Sequence, residues 1–88
     1  MSGKYKIGEK NWNGKEYIIN KNKLIFEGEY LNGERNGKGK EYYDYIEALK
    51  FEGEYLKGER NGKGKEYYFY GELTFEGEYL NGQRKPTK

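Results

Sequence analysis

The sequence contains no cysteine and no histidine among its 88 residues. Without cysteine, the chain can form neither a disulfide framework nor a thiolate metal site. Without histidine, it lacks the most frequent general base and metal ligand of proteins. We therefore expect that the protein is not an enzyme and that it uses no cofactor and no metal.

Aliphatic residues are also scarce, with six leucines, five isoleucines and no valine. This scarcity and the mean hydropathy of −1.32 would favour disorder. The formal net charge is only +2, however, and the chain carries eleven tyrosines, four phenylalanines and one tryptophan. Aromatic rings bury large areas, and a tyrosine can keep its hydroxyl wet while its ring is covered. The composition thus predicts one folded domain with an aromatic core.

The chain lacks the run of about 20 apolar residues that a membrane-spanning helix needs. Its first residues also lack the apolar stretch of a secretory signal peptide. We expect a cytoplasmic protein, with at most a peripheral contact with an acidic membrane. Nucleic acid is not an expected partner, because its binding usually needs a stronger positive field.

The most informative feature is a block of eighteen residues that occurs twice. Residues 26–43 recur as residues 51–68, and the only difference is Asn32 against Lys57. A third copy begins at Phe75 and stops after Gly82, and a weaker copy covers residues 3–17. A short period of this kind indicates a stacked array. We divide residues 1–88 into a degenerate unit 3–25, units 26–50 and 51–74, a half unit 75–82 and a tail 83–88.

Each unit predicts a β-hairpin. In residues 26–31, aromatic residues and glycine alternate with glutamate, as one face of a strand requires. Two Asn-Gly pairs follow, which are strong turn signals, and glycine recurs too often for a helix. The predicted fold class is all-β, an elongated single antiparallel sheet of stacked hairpins with about seven strands and no helix. The candidate strands are 4–7, 15–19, 24–31, 39–45, 49–56, 64–70 and 73–80.

Glycine stands in the middle of several predicted strands, at Gly28, Gly53 and Gly77. Glycine weakens a strand by itself, so a close approach is its usual reason. We expect a ring from an adjacent strand to lie over each bare stretch of backbone.

The ordered pattern Phe-Glu-Gly-Glu-Tyr-Leu-x-Gly-Glu-Arg-Asn-Gly-Lys-Gly resembles the MORN repeat. Residues 26–45 and 51–70 match that repeat closely, residues 75–82 match its first half, and residues 3–17 match it weakly. Trp12 departs from it, because it replaces the first glycine of the Gly-x-Gly. The resemblance implies a twisted sheet of hairpins with a shallow groove. It also implies association with proteins or binding to acidic phospholipids. A related bacterial group, antitoxin-like proteins built from similar hairpins, uses the same unit to bind a partner protein.

Basic side chains recur with the repeat and are the best candidate for a ligand site. Stacked units would align them along one edge, and such clusters attract phosphoinositides and other anionic membrane surfaces. Glu34 and Glu59 interrupt this basic ladder, and a soluble edge of mixed charge is the alternative. The candidate contacts for anionic lipid are Arg35, Lys38, Lys40, Arg60, Lys63, Lys65 and Arg84.

Two other charged motifs are better explained by the fold than by a catalytic or ligand-binding site. The paired glutamates 27/29, 52/54 and 76/78 are typical of a solvated strand face, with lysines on the returning strands as partners. The sequence Gly37-Lys38-Gly39 is not a phosphate-binding loop, because the longer motif and its following helix are absent.

Aromatic residues supply the candidate surface for a protein partner. Periodic aromatic positions are also typical of a core, so both interpretations remain open for the strand tyrosines. Trp12 either caps the open start of the sheet or anchors a partner. The candidate binding surface is Trp12, Tyr30, Tyr43, Tyr55, Tyr68 and Tyr79.

The leading hypothesis is a non-catalytic interaction or scaffold module that binds a protein partner or associates with itself through the repeat sheet. Strand 73–80 lacks a hairpin mate in this prediction, and an exposed edge pairs readily with another chain. The alternatives are binding of phosphoinositide or phosphatidic acid through the basic ladder, and a bacterial antitoxin-like role.

Overall fold

The computed structural model describes residues 12–18 and 21–86, and of Trp12 only the backbone. The predicted strand at 4–7 lies outside the described residues. The described chain forms seven strands, namely β1 Trp12–Ile18, β2 Lys23–Leu31, β3 Glu34–Tyr42, β4 Leu49–Leu56, β5 Glu59–Tyr67, β6 Leu73–Leu80 and β7 Gln83–Arg84.

All seven strands belong to one antiparallel sheet in the order of the chain, β1-β2-β3-β4-β5-β6-β7. Its principal extents are 40 × 28 × 14 Å, so the protein is one layer thick. The predicted all-β meander of hairpins is confirmed. Because each strand pairs with its neighbours in sequence, equivalent positions of successive repeats line up across the sheet.

Two-residue turns close the repeated hairpins. Asn32 and Gly33 have φ angles of 53° and 84°, and Lys57 and Gly58 have 51° and 90°. Positive φ at both central residues is the geometry that suits the twist of a tight hairpin.

The prediction that both Asn-Gly pairs form the turn is wrong. Asn36 and Gly37 lie inside β3, where Gly37 adopts a φ of 103° and the register with β2 shifts. A bulge absorbs the extra residues there. The returning strands therefore begin at Glu34 and Glu59 and end at Tyr42 and Tyr67, earlier than the predicted 39–45 and 64–70.

The bulge also connects successive hairpins. The backbone amide of Gly58 donates to the carbonyl of Arg35 (2.9 Å), and the amide of Lys57 donates to Oδ1 of Asn36 (3.2 Å). Gly82 repeats the first bond with Arg60 (2.9 Å). The turns at 57–58 and 81–82 are thus each held by a strand of the preceding unit.

The end of the array differs from the prediction in one respect. Gln83 and Arg84, which we assigned to the tail, form β7 and pair with Leu80 and Tyr79 of β6. Strand 73–80 is therefore partly covered. Within the described residues, its unpaired edge is reduced to residues 73–77.

Candidate interaction surfaces

One face of the sheet carries the core, and we call it the aromatic face. Phe26, with 0 % of its surface exposed, lies over the backbone of Gly39. Tyr30 and Tyr55 stand edge-on at each side of the ring, at centroid distances of 5.8 and 5.2 Å. The Arg35 guanidinium closes the top, 4.0 Å from the ring centroid. A single layer buries a phenylalanine because a bare glycine makes room below it and a cation covers it above.

We call this arrangement of ring, glycine floor, tyrosine walls and arginine lid an aromatic cell. The second cell surrounds Phe51, with Tyr55 and Tyr79 at 5.7 and 5.2 Å and the lid Arg60 at 4.0 Å. The third surrounds Phe75, which packs against Tyr79 at 5.6 Å under Arg84 at 4.3 Å. Phenylalanine rings lie over the strand glycines, but the ring beside Gly28, Gly53 or Gly77 belongs to the same strand and not, as expected, to an adjacent one.

Glutamates hold the arginine lids in place. Glu16 accepts hydrogen bonds from Nε and Nη2 of Arg35, both at 2.9 Å, and Glu41 accepts the equivalent pair from Arg60 at 3.0 Å. Bidentate pairs of this kind are strong and fix the orientation of the guanidinium. We call the resulting row of alternating charges the charge ladder, which consists of Glu16, Arg35, Glu41, Arg60, Glu66 and Arg84.

The tyrosine walls are bonded to the same carboxylates. The hydroxyl of Tyr30 donates to Glu16 (2.6 Å), and the hydroxyls of Tyr55 and Tyr79 donate to Glu41 and Glu66. Sequence reasoning missed the role of these glutamates. Their recurrence in each unit was visible, but the partner tyrosine lies 13 or 14 residues away, which only the strand register reveals.

Burial and hydrogen bonding shift the pKa values of these groups. Burial by itself would raise the pKa of Glu41, but hydrogen bonds from Arg60 and Tyr55 outweigh it, so that pKa is lowered. The same balance lowers the pKa of Glu16. Burial and the adjacent carboxylate raise the pKa of Tyr55, and they bring the pKa of Tyr79 to about 12.

These shifts predict loss of stability at both ends of the pH scale. A lowered carboxyl pKa stabilises the fold above the ordinary value of 4.5, so stability falls as pH drops below it. A raised tyrosine pKa stabilises the fold fully at pH values below the ordinary pKa of 10.0. Stability is then lost as the pH rises from about 10 to about 12. Thermal unfolding followed by circular dichroism against pH measures both effects. We expect Tyr79→Phe to reduce the alkaline loss, and an unchanged alkaline profile in that variant would contradict the assignment.

The structure corrects the predicted role of three tyrosines. Tyr30, Tyr55 and Tyr79 were candidates for a partner-binding surface, but only 2 %, 4 % and 2 % of their surfaces are exposed. They form the walls of the aromatic cells, so they do not present their rings to a partner. Tyr43 is half-buried and donates its hydroxyl to the carbonyl of Tyr67 (2.6 Å), while Tyr68 is exposed.

Trp12 takes part in β1, where its backbone pairs with Tyr30. Its side chain lies outside the description, so its predicted role as a cap or an anchor stays a prediction.

The predicted basic ladder along one edge is also wrong. Arg35, Arg60 and Arg84 lie on the aromatic face, where each is paired with a glutamate. The lysines alternate with glycine in the same strands, and successive strand residues point to opposite faces. Lys38, Lys40, Lys63 and Lys65 are therefore on the other face, and the structure does not bring the two sets together.

We call that other face the groove face. Six glycines face one another across six strands and form the floor of an open groove of about 1250 Å³. They are Gly14, Gly28, Gly39, Gly53, Gly64 and Gly77. The glycines contribute only backbone to the groove floor, because the Cβ positions of residues 28, 39, 53, 64 and 77 point to the aromatic face, where each would meet a phenylalanine ring.

Charged side chains line the groove on both sides of the glycine floor. The two residues that flank each glycine are lysine in one strand and glutamate in the next, except for Asn13 in β1. The row on one side is Lys15, Glu27, Lys40, Glu52, Lys65 and Glu76. The groove lining contains five lysines and five glutamates, so its formal charge is balanced.

Other exposed aromatic residues lie in the loops between units. Tyr45, Tyr68, Phe69 and Tyr70 are each at least half exposed. The rings of Tyr68 and Tyr70 stack at 5.3 Å with an interplanar angle of 24°. None of these four residues belongs to the groove lining.

Residues 12–18 and 21–86 contain no cluster of three or more acidic residues, histidines or cysteines arranged to hold a metal ion. A separate search of the same residues found no helix with the length and apolarity needed to cross a bilayer.

Comparison with protein-family models finds the MORN repeat at residues 26–44, 51–69 and 75–85. The matched segments begin at Phe26, Phe51 and Phe75, which are the central rings of the three aromatic cells. Together they make up more than half of the 88 residues. A search of curated proteins and a search of solved structures each returned no match.

Proposed function

The chain belongs to the MORN repeat family, and from that premise we propose that it is a non-catalytic interaction module whose groove binds a segment of a partner protein. Repeats of this family often mediate protein or membrane interactions. The observation that carries the choice of a protein partner is the groove, which is open, has a bare backbone floor and has walls of balanced charge.

The dimensions of the groove suit an extended polypeptide. It crosses six strands, and five steps of about 4.8 Å between strands give about 24 Å. This is the length of an extended segment of about seven residues. The aliphatic stems of the lysines and glutamates supply apolar contact along the walls while their charged ends remain in water.

The charge pattern favours a partner that carries both signs. Lys40 lies between Glu27 and Glu52, and Lys65 lies between Glu52 and Glu76. A polypeptide with acidic and basic side chains can match such alternation, and complementary charges set specificity. An acidic phospholipid surface has less support, because half of the charged lining would repel it and the arginines are paired on the opposite face.

Selection of random peptides of about twelve residues on the immobilised protein provides a probe. We expect the selected peptides to contain both acidic and basic residues and to bind in the groove. The double variant Lys40→Glu with Lys65→Glu reverses two wall charges, and we expect it to weaken binding about tenfold, since exposed pairs contribute up to about 1 kcal/mol each. Fluorescence anisotropy with a labelled selected peptide measures the affinity.

A matched control separates the groove from net charge. Lys50→Glu with Lys57→Glu changes the net charge equally, but these exposed lysines lie outside the groove lining. Thermal unfolding verifies that each variant is folded at the temperature of the binding measurement. Equal weakening by both double variants would contradict binding in the groove.

The acidic-lipid alternative is tested in the same series. Co-sedimentation with vesicles of phosphatidylcholine and phosphatidylserine is expected to leave the protein in the supernatant at physiological salt. Binding to these vesicles that is lost in the Lys40→Glu, Lys65→Glu variant would favour the alternative over the proposal.

A further inference from the structure

Two loops between repeat units carry much of the exposed aromatic surface. We call residues 43–48, between β3 and β4, and residues 68–72, between β5 and β6, the aromatic loops. Seven large apolar side chains are exposed in the described chain, and four of them belong to these loops, namely Tyr45, Tyr68, Phe69 and Tyr70. Exposed apolar surface that gathers in one place marks interaction sites. The aromatic loops are therefore a candidate surface apart from the groove, whose lining they do not share.

Backbone hydrogen bonds fix the shape of both loops. The amide of Tyr43 donates to the carbonyl of Ala48 (3.1 Å), and the amide of Tyr68 donates to the carbonyl of Glu72 (2.8 Å). The hydroxyl of Tyr43 also donates to the carbonyl of Tyr67 at the end of β5 (2.6 Å), which ties the first loop to the base of the second. The rings are thus positioned before a ligand arrives, and this lowers the entropic cost of binding.

The tyrosines of the loops form two pairs that recur with the repeat. The ring centroids of Tyr43 and Tyr45 lie 5.6 Å apart, and those of Tyr68 and Tyr70, at the equivalent positions of the next unit, lie 5.3 Å apart. The pairs directly follow β3 and β5, which are separated in the sheet by β4 alone. Two steps of about 4.8 Å between strands therefore place the pairs about 9.6 Å from each other.

This spacing matches one turn of a polyproline II helix. Three residues at a rise of about 3.1 Å give about 9.3 Å, and side chains three residues apart lie on the same side of that helix. A β-strand repeats each face after about 6.8 Å and does not match. A polyproline II segment has no internal hydrogen bonds, so its carbonyls can accept from tyrosine hydroxyls. Those of Tyr45, Tyr68 and Tyr70 have no hydrogen-bond partner in the described chain.

The charge of the aromatic loops selects the sign of the ligand. Residues 43–48 and 68–72 contain three acidic residues and no basic one. The acidic side chains, those of Asp44, Glu47 and Glu72, are exposed. Lys50 of β4 lies 5.8 Å from the ring centroid of Tyr43 and offsets one of these charges. The surface remains negative, and a ligand with a basic residue beside its prolines complements it.

We propose that the aromatic loops bind a proline-rich segment of a partner protein in the polyproline II conformation. Prolines three residues apart rest on the two successive tyrosine pairs, and a basic residue of the segment meets the acidic side chains of the loops. The 88 residues contain a single proline, so they do not supply such a segment themselves. This site is independent of the groove, because no residue of the aromatic loops belongs to the groove lining.

Fluorescence anisotropy with a labelled peptide and the full chain tests the proposal. The peptide has about ten residues, or about three turns, with proline at every third position and arginine at one end. We expect saturable binding. The same peptide with alanine for every proline loses the preset conformation, and one with prolines four residues apart loses the match in spacing, so both should bind several-fold more weakly. No saturable binding of the proline peptide, or equal binding by the alanine peptide, would overturn the proposal.

The double variant Tyr68→Ala with Tyr70→Ala removes one tyrosine pair. We expect it to bind the proline peptide about tenfold more weakly, since aromatic anchors dominate such contacts, at a nearly unchanged melting temperature because both rings are exposed. Leu56→Ala with Leu80→Ala is the matched control. It removes exposed apolar side chains at the opposite ends of the strands and should leave the affinity unchanged. Equal weakening by both double variants would argue for unspecific apolar contact and against the proposal.

Two further measurements separate this site from the groove and test its charge. The Tyr68→Ala, Tyr70→Ala variant should keep the wild-type affinity for a peptide that binds in the groove. Binding of the proline peptide that persists in this variant and is lost in Lys40→Glu with Lys65→Glu would place that peptide in the groove and overturn the proposal. Glutamate in place of the terminal arginine is expected to weaken binding several-fold, and an equal or higher affinity would contradict the basic partner.

Discussion

Replacing Gly53 with alanine is expected to abolish the folded state or to leave it only marginally stable. A Cβ atom at this position would lie 2.5 Å from the carbonyl oxygen of Lys63, 2.7 Å from Cα of Gly64 and 2.7 Å from Cζ of Phe51. Two of these atoms belong to the backbone of β5 and cannot rotate away. The cost exceeds the usual overpacking range of about 1–3 kcal/mol. Urea unfolding followed by circular dichroism measures the loss.

Gly58→Ala is the matched control for this substitution. Gly58 has a φ of 90°, and no atom lies within 4 Å of the position where its Cβ would be. Alanine there meets only the backbone strain of a positive φ, about 1–2 kcal/mol. If the two variants lost the same stability, the close approach of β4 to β5 would not be the reason for glycine at position 53.

Phe51→Ala is expected to reduce the free energy of unfolding by about 3–5 kcal/mol. Phe51 is fully buried, with tyrosine rings on two sides and the guanidinium of Arg60 above it. Its removal empties the central aromatic cell and leaves the tyrosine walls and the arginine lid without their shared contact. A domain of this size has a total stability of about 4–13 kcal/mol, so this loss is a large fraction of the whole.

Phe75→Ala provides the comparison within the same array. Phe75 is half-buried and, in the described part of the chain, packs against one tyrosine under the more exposed Arg84. We expect its substitution to cost less than half as much as the one at Phe51. Urea unfolding of the two variants at equal, low protein concentration measures the difference, and equal losses would show that the third cell is as complete as the second.

The sequence of the repeat predicts much of the fold. The alternation in residues 26–31 places phenylalanine, glycine and tyrosine on one side of a strand, and the structure confirms this for Phe26 and Tyr30. The Asn-Gly pair at 32–33 predicts the two-residue turn that is found. The glycines in the strands predict rings over the backbone, since glycine has few other reasons to occupy a strand interior.

The prediction of a basic ladder was wrong, because the start of the returning strand was placed too late in the sequence. Assigning residues 34–37 to the turn removed Arg35 from the strand, so the arginines were grouped with the lysines at an edge. With β3 beginning at Glu34, simple alternation places Arg35 with Gly39 on the aromatic face and Lys38 on the other. The signal was present in the sequence, but two equivalent Asn-Gly pairs gave no local reason to choose the first.

The sequence by itself determines the hairpin unit, its period and the need for glycine in the strands, because these depend on alternation and on local backbone geometry. Only the tertiary structure decides that the scarce aliphatic residues are replaced by aromatic cells with arginine lids, since each cell draws its parts from adjacent strands. The tertiary structure also decides that lysine and arginine separate to opposite faces. This arrangement takes the place of an aliphatic core. Glycine, tyrosine and arginine enclose each phenylalanine, in a chain that has no valine and few leucines.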